Sequence, residues 1–263
     1  MAFSAEAFQR QLTTARFGRA CRVVPEAGST IDLAWKWLRA GGPEGGVVIA
    51  DRQTQARGRL GRPWAAPEGG LWMSALARPD IPAHRGGRLG VLVALATAEG
   101  VSVETGCSAT LRWPNDVLIQ GRKVGGVLID AQINMDRVGA AVLSLGINVN
   151  TPSEALPPEL HETATSLLSE TGRCWSLEAL AARILGNLER DWPLLLAEAP
   201  GLAARWRELD AILAAEVCVE IGSSRAQGLN QGIDEEGALM VKTVDGTRRI
   251  TSGEVRFLRP TTG

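Results

Sequence analysis

The stretch ATLRWPNDVLIQGRKVGGVLIDAQINMDRVGAAVLSLGINVN, residues 109–150, decides the fold. It divides into the runs ATLRW (109–113), DVLIQ (116–120), KVGGVLIDAQI (123–133) and RVGAAVLSLGINVN (137–150), the last rich in Val, Leu and Ile. Such runs, broken by short polar turns, read as strands. Trp-Pro-Asn-Asp (113–116) is turn chemistry in its own right, and Gly121 suits a hairpin turn. Strands joined by short turns pair antiparallel, so this half of the chain predicts a sheet built largely from hairpins.

Upstream, CRVVPEAG (21–28) reads as a strand and turn, and GGVVIA (45–50) and GLWMSALAR (70–78) as further strands. Between the first two lies STIDLAWKWLRAGG (29–42). Ser29 or Thr30 suits an N-cap, Asp32 suits the positive first turn, and Ile31, Ala34, Trp35 and Leu38 recur at helical spacing. RLGVLVALATAEGVSVE (88–104) is apolar on most faces and predicts a buried helix. Residues 1–18 are polar and predict a short helix or loose arm. SLEALAARILGNLERDWPLLL (176–196) and LAARWRELD (202–210) predict two more helices, the first capped by Ser176.

After about residue 214 the pattern changes to short, turn-punctuated strands (AEVCVEI, SRAQGLNQGI, GALMVKT, GTRRIT), which predicts a small all-β module. The expectation is therefore an α+β domain over 1–213, with helices on a mixed or antiparallel sheet, and a β-domain over 214–263. The alternation of strands and helices is too irregular for a doubly wound fold.

Composition narrows the function classes. With 263 residues, 45% hydrophobic and 22% charged, the chain can bury a sizeable core. A net charge of −1 argues against a dedicated nucleic-acid binder. The four Cys (21, 107, 174 and 218) have no metal or C-x-x-C redox spacing. No signal-peptide pattern and no long uncharged apolar run is evident, so the expectation is a cytoplasmic protein without a membrane span.

Three features carry chemistry. The first lies in the long loop 51–69, which has no apolar period. Arg57-Gly58-Arg59-Leu60-Gly61-Arg62 puts three guanidinium forks among glycines. That pattern suits either an anion site or a solvated basic loop. It is neither a Walker loop nor a dinucleotide fingerprint. The second is Trp113-Pro114-Asn115-Asp116 followed by Gly121-Arg122-Lys123-Val124-Gly125-Gly126. Glycines inside a strand mark a close approach, and only three Lys occur in the chain, at 36, 123 and 242. The third is Gly146-Ile147-Asn148 at the end of an apolar strand, where the Asn amide suits either a turn or a heteroaromatic ring.

Taken in order, Ser29-Thr30, Asp51-Arg52-Gln53-Thr54, the Arg/Gly run ending at Trp64, Trp113-Pro114-Asn115-Asp116, the Gly121–Gly126 run and Gly146-Ile147-Asn148 resemble the biotin protein ligases. GLNQGIDEEGALMVKTVDGTRRITSGEV (228–255) resembles their SH3-like C-terminal domain. The resemblance runs from about residue 22 to 260. It implies a class II synthetase-like catalytic domain of the biotin/lipoate ligase type plus a small SH3-like β-barrel. It also implies ATP-dependent formation of biotinyl-5′-AMP and transfer of biotin to a lysine of a biotin carboxyl carrier protein, that of acetyl-CoA carboxylase.

By position, the resemblance puts Ser29, Thr30 and Gln53 on the biotin head group. Arg57, Gly58 and Arg59 fall on the biotin and phosphate side, Arg62 on pyrophosphate, Lys123 on the biotin carboxylate and α-phosphate, and Asn148 on adenine. Trp64, Asn115, Gly125, Gly126 and Gly146 belong to the same binding surface. Asp116 is the candidate Mg²⁺ ligand. Lys123, Arg57 and Arg59 are the expected catalytic groups.

Two departures stand out. Ala56 occupies the place of a family glycine, where a positive φ would strain the loop. Residues 151–165 also lack the aromatic that stacks on adenine in many relatives. Only some 20 residues precede the first strand, too few for the DNA-binding module of some relatives, so an enzyme without DNA binding is expected. An exposed sheet edge is where a second copy would pair to form a homodimer. Rival expectations are a lipoate or octanoate ligase or transferase, and a non-catalytic module that binds biotin or a carrier.

Overall fold

The computed structural model describes residues 2–196 and 201–257. The last residues of the expected β-domain, 258–263, lie outside them.

The chain opens with α1 (Ala5–Gln11), β1 (Cys21–Ala27), α2 (Thr30–Arg39), β2 (Val47–Gln53), β3 (Leu71–Ala77) and the short β4 (Ile81–Pro82). There follow α3 (Gly87–Thr105), β5 (Ala109–Arg112), β6 (Asp116–Ile119), β7 (Arg122–Asn134) and β8 (Arg137–Ile147). Then come α4 (Leu167–Thr171), α5 (Leu177–Asp191) and α6 (Leu202–Leu209). The C-terminal strands are β9 (Glu216–Ile221), β10 (Ser224–Ile233), β11 (Leu239–Thr243), β12 (Gly246–Ile250) and β13 (Glu254–Phe257).

The main sheet runs β1-β2-β3-β8-β7-β6-β5, with β4 also on β8. Only β1 and β2 are parallel; the other pairs are antiparallel, so the sheet is mixed, as the hairpin order predicts. Gln120 and Gly121 both take positive φ, 50° and 77°, which makes the β6–β7 link the tight turn expected there. Alternation along each strand divides the side chains between two layers. Val47, Ile49, Met73 and Ala75 face the large core with α3 and α5, whereas Val48, Leu76 and Val142 pack under Ile31, Ala34, Trp37 and Leu38 of α2.

α3 is apolar and long enough to span a bilayer by composition alone. Here it is the central core helix: Leu89, Leu92, Leu95 and Val101 are fully buried. Burying each such side chain contributes roughly 1.5–3 kcal/mol.

One open alternative is settled at the short helix α1, and two local expectations need correction. Residues 3–17 are no loose arm: Phe3, Phe8, Leu12 and Phe17 are all buried, and the backbone N–H groups of Ala15, Arg16 and Phe17 donate to the Glu189 carboxylate. In α2 it is Trp37, not Trp35, that is buried with Ile31, Ala34 and Leu38. The helix capped by Ser176 stops at Asp191, because Pro193 lacks an N–H, and Trp192–Leu195 form a 3₁₀ turn.

The C-terminal strands form one antiparallel sheet ordered β12-β11-β10-β9-β13, the small β-module expected from the sequence. It docks on the main domain through specific polar contacts. Trp113 Nε1 donates to the Gly237 carbonyl at 3.0 Å, and Asn230 Nδ2 donates to Asp210 at 3.0 Å. This docking brings the start of β13 to the mouth of the site.

Candidate active site

Along β8, Val142 packs under α2, and Ser144 and Gly146 continue the same face beyond it. They line a cavity of about 390 Å³, large enough for a small organic ligand. Its walls come from the N-terminus of α2, the 56–65 loop, the Trp113–Asp116 turn, β7, β8, the 156–164 segment and Gly253–Val255 of the C-terminal sheet.

Ser29 caps α2 through its hydroxyl, which accepts from the Ile31 N–H at 3.3 Å, so both Ser29 and Thr30 are buried at a helix N-terminus. Gln53 ends β2 beside them, and its Oε1 accepts from Thr30 N at 2.7 Å and from Thr30 Oγ1 at 3.0 Å. This end of the cavity is polar but uncharged.

The Arg/Gly loop is held at two places. Arg57 forks onto Asp32 in the first turn of α2, at 2.6 and 3.0 Å. That bond holds the Asp32 carboxyl below the usual carboxylate range and raises the Arg57 guanidinium. Arg59 and Arg62 instead reach the C-terminal sheet. Arg59 Nη1 donates to the Gly253 carbonyl at 3.1 Å, and Arg62 forks onto Glu254 at 2.5 and 2.7 Å. Burial lowers the pKa of Arg59, opposed by the Asp116 and Glu254 carboxylates, and it stays cationic. Ala56 is not among the described residues with positive φ; the left-handed turn falls at Leu60 and Gly61 instead, at 57° and 72°. The strain expected at Ala56 is therefore absent.

Lys123 opens β7 beside residues 163–165: its N–H donates to the Thr163 carbonyl, and its own carbonyl accepts from the Thr165 N–H. Its Nζ sits 2.5 Å from Asp116 Oδ1 and 5.0 Å over the Trp64 ring. A Cβ on Gly126 would lie in ordinary contact, at 3.4 Å, with Lys123 Cε, so the lysine side chain lies across the strand over this glycine. Gly125 is more tightly constrained. A Cβ there would meet the Gly146 carbonyl at 2.6 Å, so it serves the close approach of β7 to β8 and does not line the cavity. This corrects its expected place on the binding surface.

Two buried polar atoms in the cavity wall have no protein partner: Trp64 Nε1 and Asn148 Oδ1. An unpaired buried polar atom is unfavourable by roughly 1–3 kcal/mol, so such atoms mark where a ligand's own groups belong. Asn148 is otherwise fixed, with its Nδ2 donating to the Thr165 carbonyl at 3.0 Å. No aromatic from 151–165 reaches the cavity; that segment contributes Leu156, Leu160, Thr163 and Ala164.

Asp116 does not behave as an available metal ligand. Its two oxygens are taken by Lys123 at 2.5 Å and Arg112 at 2.7 Å. Among the described residues no group of three or more His, Cys, Asp or Glu side chains could hold a metal. These residues do not fit a resident Mg²⁺ site built by the protein; Mg²⁺ commonly draws most of its ligands from phosphate oxygens and water.

Ser29, Thr30, Gln53, Arg57, Gly58, Arg59, Arg62, Trp64, Asn115, Asp116, Lys123, Gly126, Gly146 and Asn148 all meet in this one cavity. Sequence reasoning missed Ser144 and Glu254, and it placed Asp32 only in the first turn of its helix without its Arg57 partner. Nothing in the local sequence marks these pairings, since each is set by a partner far along the chain.

Comparison with known proteins agrees with this geometry. Residues 24–150 match the Biotin/lipoate A/B protein ligase family, and residues 216–258 match the Biotin protein ligase C terminal domain. The chain is 33% identical to the bifunctional ligase/repressor BirA of Bacillus spizizenii over 87% of its own length and 71% of that protein. It is also 33% identical to the biotin–[acetyl-CoA-carboxylase] ligase of Mycobacterium tuberculosis, over 90% of this chain and 88% of the relative. The biotin protein ligase of Aquifex aeolicus, solved in complex with biotin and ATP, superposes with a TM-score of 0.79 at 28% identity, covering 92% of this chain and 99% of that one. The chain belongs to the biotin protein ligase family, and it is a ligase.

Proposed function

We propose that the protein activates biotin with ATP to biotinyl-5′-AMP and transfers the biotinyl group to one lysine of a biotin carboxyl carrier protein, that of acetyl-CoA carboxylase. In the first step a carboxylate oxygen of biotin attacks the α-phosphorus of ATP, and pyrophosphate leaves. In the second the carrier's neutral amine attacks the acyl carbon, AMP leaves and the amine loses one proton.

The observation that carries this reading is the meeting of Lys123, Arg57, Arg59 and Arg62 around one cavity whose wall also holds the unpartnered Trp64 Nε1 and Asn148 Oδ1. Joining a carboxylate to a triphosphate requires fixed cations aimed at like-charged reactants. Mg²⁺ carried on the nucleotide would neutralise part of the triphosphate charge.

The chain's own groups divide the work. Ser29, Thr30 and Gln53 offer hydrogen bonds to the ureido head group at the uncharged end. Lys123 stands where the carboxylate and α-phosphate would meet, held there by Asp116 until they arrive. Arg57, Gly58 and Arg59 cover the reacting groups and exclude water from the acyl phosphate. Arg62 exchanges Glu254 for pyrophosphate. Asn148 offers its free oxygen to the amino group of adenine. Trp64, Asn115, Gly126 and Gly146 shape the walls.

Biotin-dependent exchange of pyrophosphate into ATP tests the reading. Exchange should require biotin. Exchange driven by lipoate or octanoate would make the protein a lipoate-type enzyme, and no exchange with any of these acids would leave only a binding module.

A further inference from the structure

Behind the uncharged end of the cavity runs a chain of hydroxyl groups. Thr30 Oγ1 lies 3.0 Å from Gln53 Oε1, Ser74 Oγ lies 2.8 Å from Thr30 Oγ1, and Ser144 Oγ lies 2.9 Å from Ser74 Oγ. Ser74 and Ser144 face one another as a cross-strand pair on β3 and β8. Ser74 is fully buried, while Ser144 lies at the cavity wall.

The direction of every proton in this chain follows from one obligatory donor. The Thr30 backbone N–H points at the Gln53 amide at 2.7 Å, and an N–H can only donate, so the Gln53 atom there is its oxygen. An amide oxygen only accepts, so the Thr30 hydroxyl donates to it as well. Thr30 has one hydroxyl proton and has now used it, so Ser74 donates to Thr30. Ser74 likewise has one proton, so Ser144 donates to Ser74. The relay therefore presents the cavity with N–H donors from Gln53 and, at Ser144, lone pairs alone.

We infer that Ser144 is a specificity-determining acceptor for a ring N–H of the ureido head group, its own proton being turned away from the ligand by the relay through Ser74 and Thr30 to Gln53. This rests on the reading that biotin occupies the cavity. A hydroxyl that could rotate would tolerate either a donor or an acceptor in the ligand. One with its proton committed rejects an acceptor, because two lone pairs then face each other in a buried place. Ser74 touches no ligand and acts as a positioning residue.

The test is calorimetric titration of the full chain with biotin and with its two cyclic carbamate analogues, in each of which one ureido N–H is replaced by a ring oxygen. At least one carbamate should bind the wild type about tenfold or more weakly than biotin, the size expected when a buried acceptor loses its donor. Ser144→Ala and Ser74→Ala should each shrink that ratio to about threefold or less. The Ser74→Ala result is the sharper, because it changes selectivity from a residue outside the cavity. The ratio is read within each variant, so a general loss of affinity cancels. Thermal unfolding shows that a variant is folded, and either variant alone decides the matter. An unchanged ratio in the folded variants, or equal binding of urea and both carbamates by the wild type, overturns the inference while leaving biotin as the ligand. Failure of the wild type to bind biotin at all would instead remove the reading beneath it.

Discussion

Lys123 and Asp116 form a 2.5 Å ion pair across the β6–β7 hairpin, with the ammonium also over the Trp64 ring. Arg112 holds the other oxygen of the same carboxylate. Asp116 is thereby a brace that aims Lys123 into the cavity, where its side chain lies over Gly126. Lys123→Ala should lower the rate of biotinyl-5′-AMP formation by about 10²–10³, the usual loss when one donor to developing charge is removed. Single-turnover formation of adenylate from labelled ATP measures it. Normal turnover would strip Lys123 of its role.

Arg59 is half-buried, and its bond to the Gly253 carbonyl ties the loop to the C-terminal sheet. Arg59→Ala and Arg57→Ala should loosen this cover and let biotinyl-5′-AMP escape. Rapid filtration after one turnover should find free adenylate in solution in place of the retained intermediate. Retention equal to the wild type would mean that the loop is not a cover.

Arg62 is exposed and forks onto Glu254, which raises the guanidinium pKa further above its already high value. To reach a phosphate it must leave that carboxylate. Glu254→Gln should therefore lower KM for ATP by about two- to fivefold at low salt and by less at high salt, since exposed pairs are weak and screened. A rise in KM would show that Glu254 positions Arg62 for phosphate and does not compete with it.

Glu189 anchors the N-terminal segment through three backbone N–H bonds, from Ala15 at 2.6 Å, Arg16 at 3.0 Å and Phe17 at 2.8 Å. Burial alone would raise its pKa, but these bonds outweigh burial and hold the carboxyl below its ordinary value of 4.5. A lowered folded pKa favours the ionised form in the folded state. Its contribution is full above the unfolded pKa and lost as pH falls through the folded one. Glu189→Gln should melt earlier than the wild type at about pH 7, and the difference should shrink as the pH falls through the lowered folded value. Faster amide exchange at residues 15–17 in the variant locates the effect.

Ala56 carries no positive φ. Ala56→Gly should leave the biotin dissociation constant within about twofold. It should also destabilise the fold by roughly 0.4–1 kcal/mol, through the greater freedom of glycine in the unfolded chain. Tighter biotin binding would show that the Ala56 methyl group obstructs the loop.

What the sequence alone determined was everything with a short range. Ser29 and Ser176 announce their helices because a cap acts on the N–H groups two or three residues away. Gln120-Gly121 makes its hairpin because φ is a local property. The ordered motifs were legible because each is a turn or strand end whose chemistry is carried by neighbouring residues. Tertiary structure decided the pairings. Glu254 meets Arg62 across 192 positions, Ser144 meets Ser74 across 70, and Arg57 meets Asp32 across 25. Register decided that Gly126 and not Gly125 lines the cavity, since one step along a strand reverses the side-chain direction. Packing decided that the polar-looking arm at 3–17 is anchored, because its few phenylalanines find the core only once the sheet and α5 exist. Propensity and period act within a few residues, whereas a distance between remote side chains exists only after the sheet order is set.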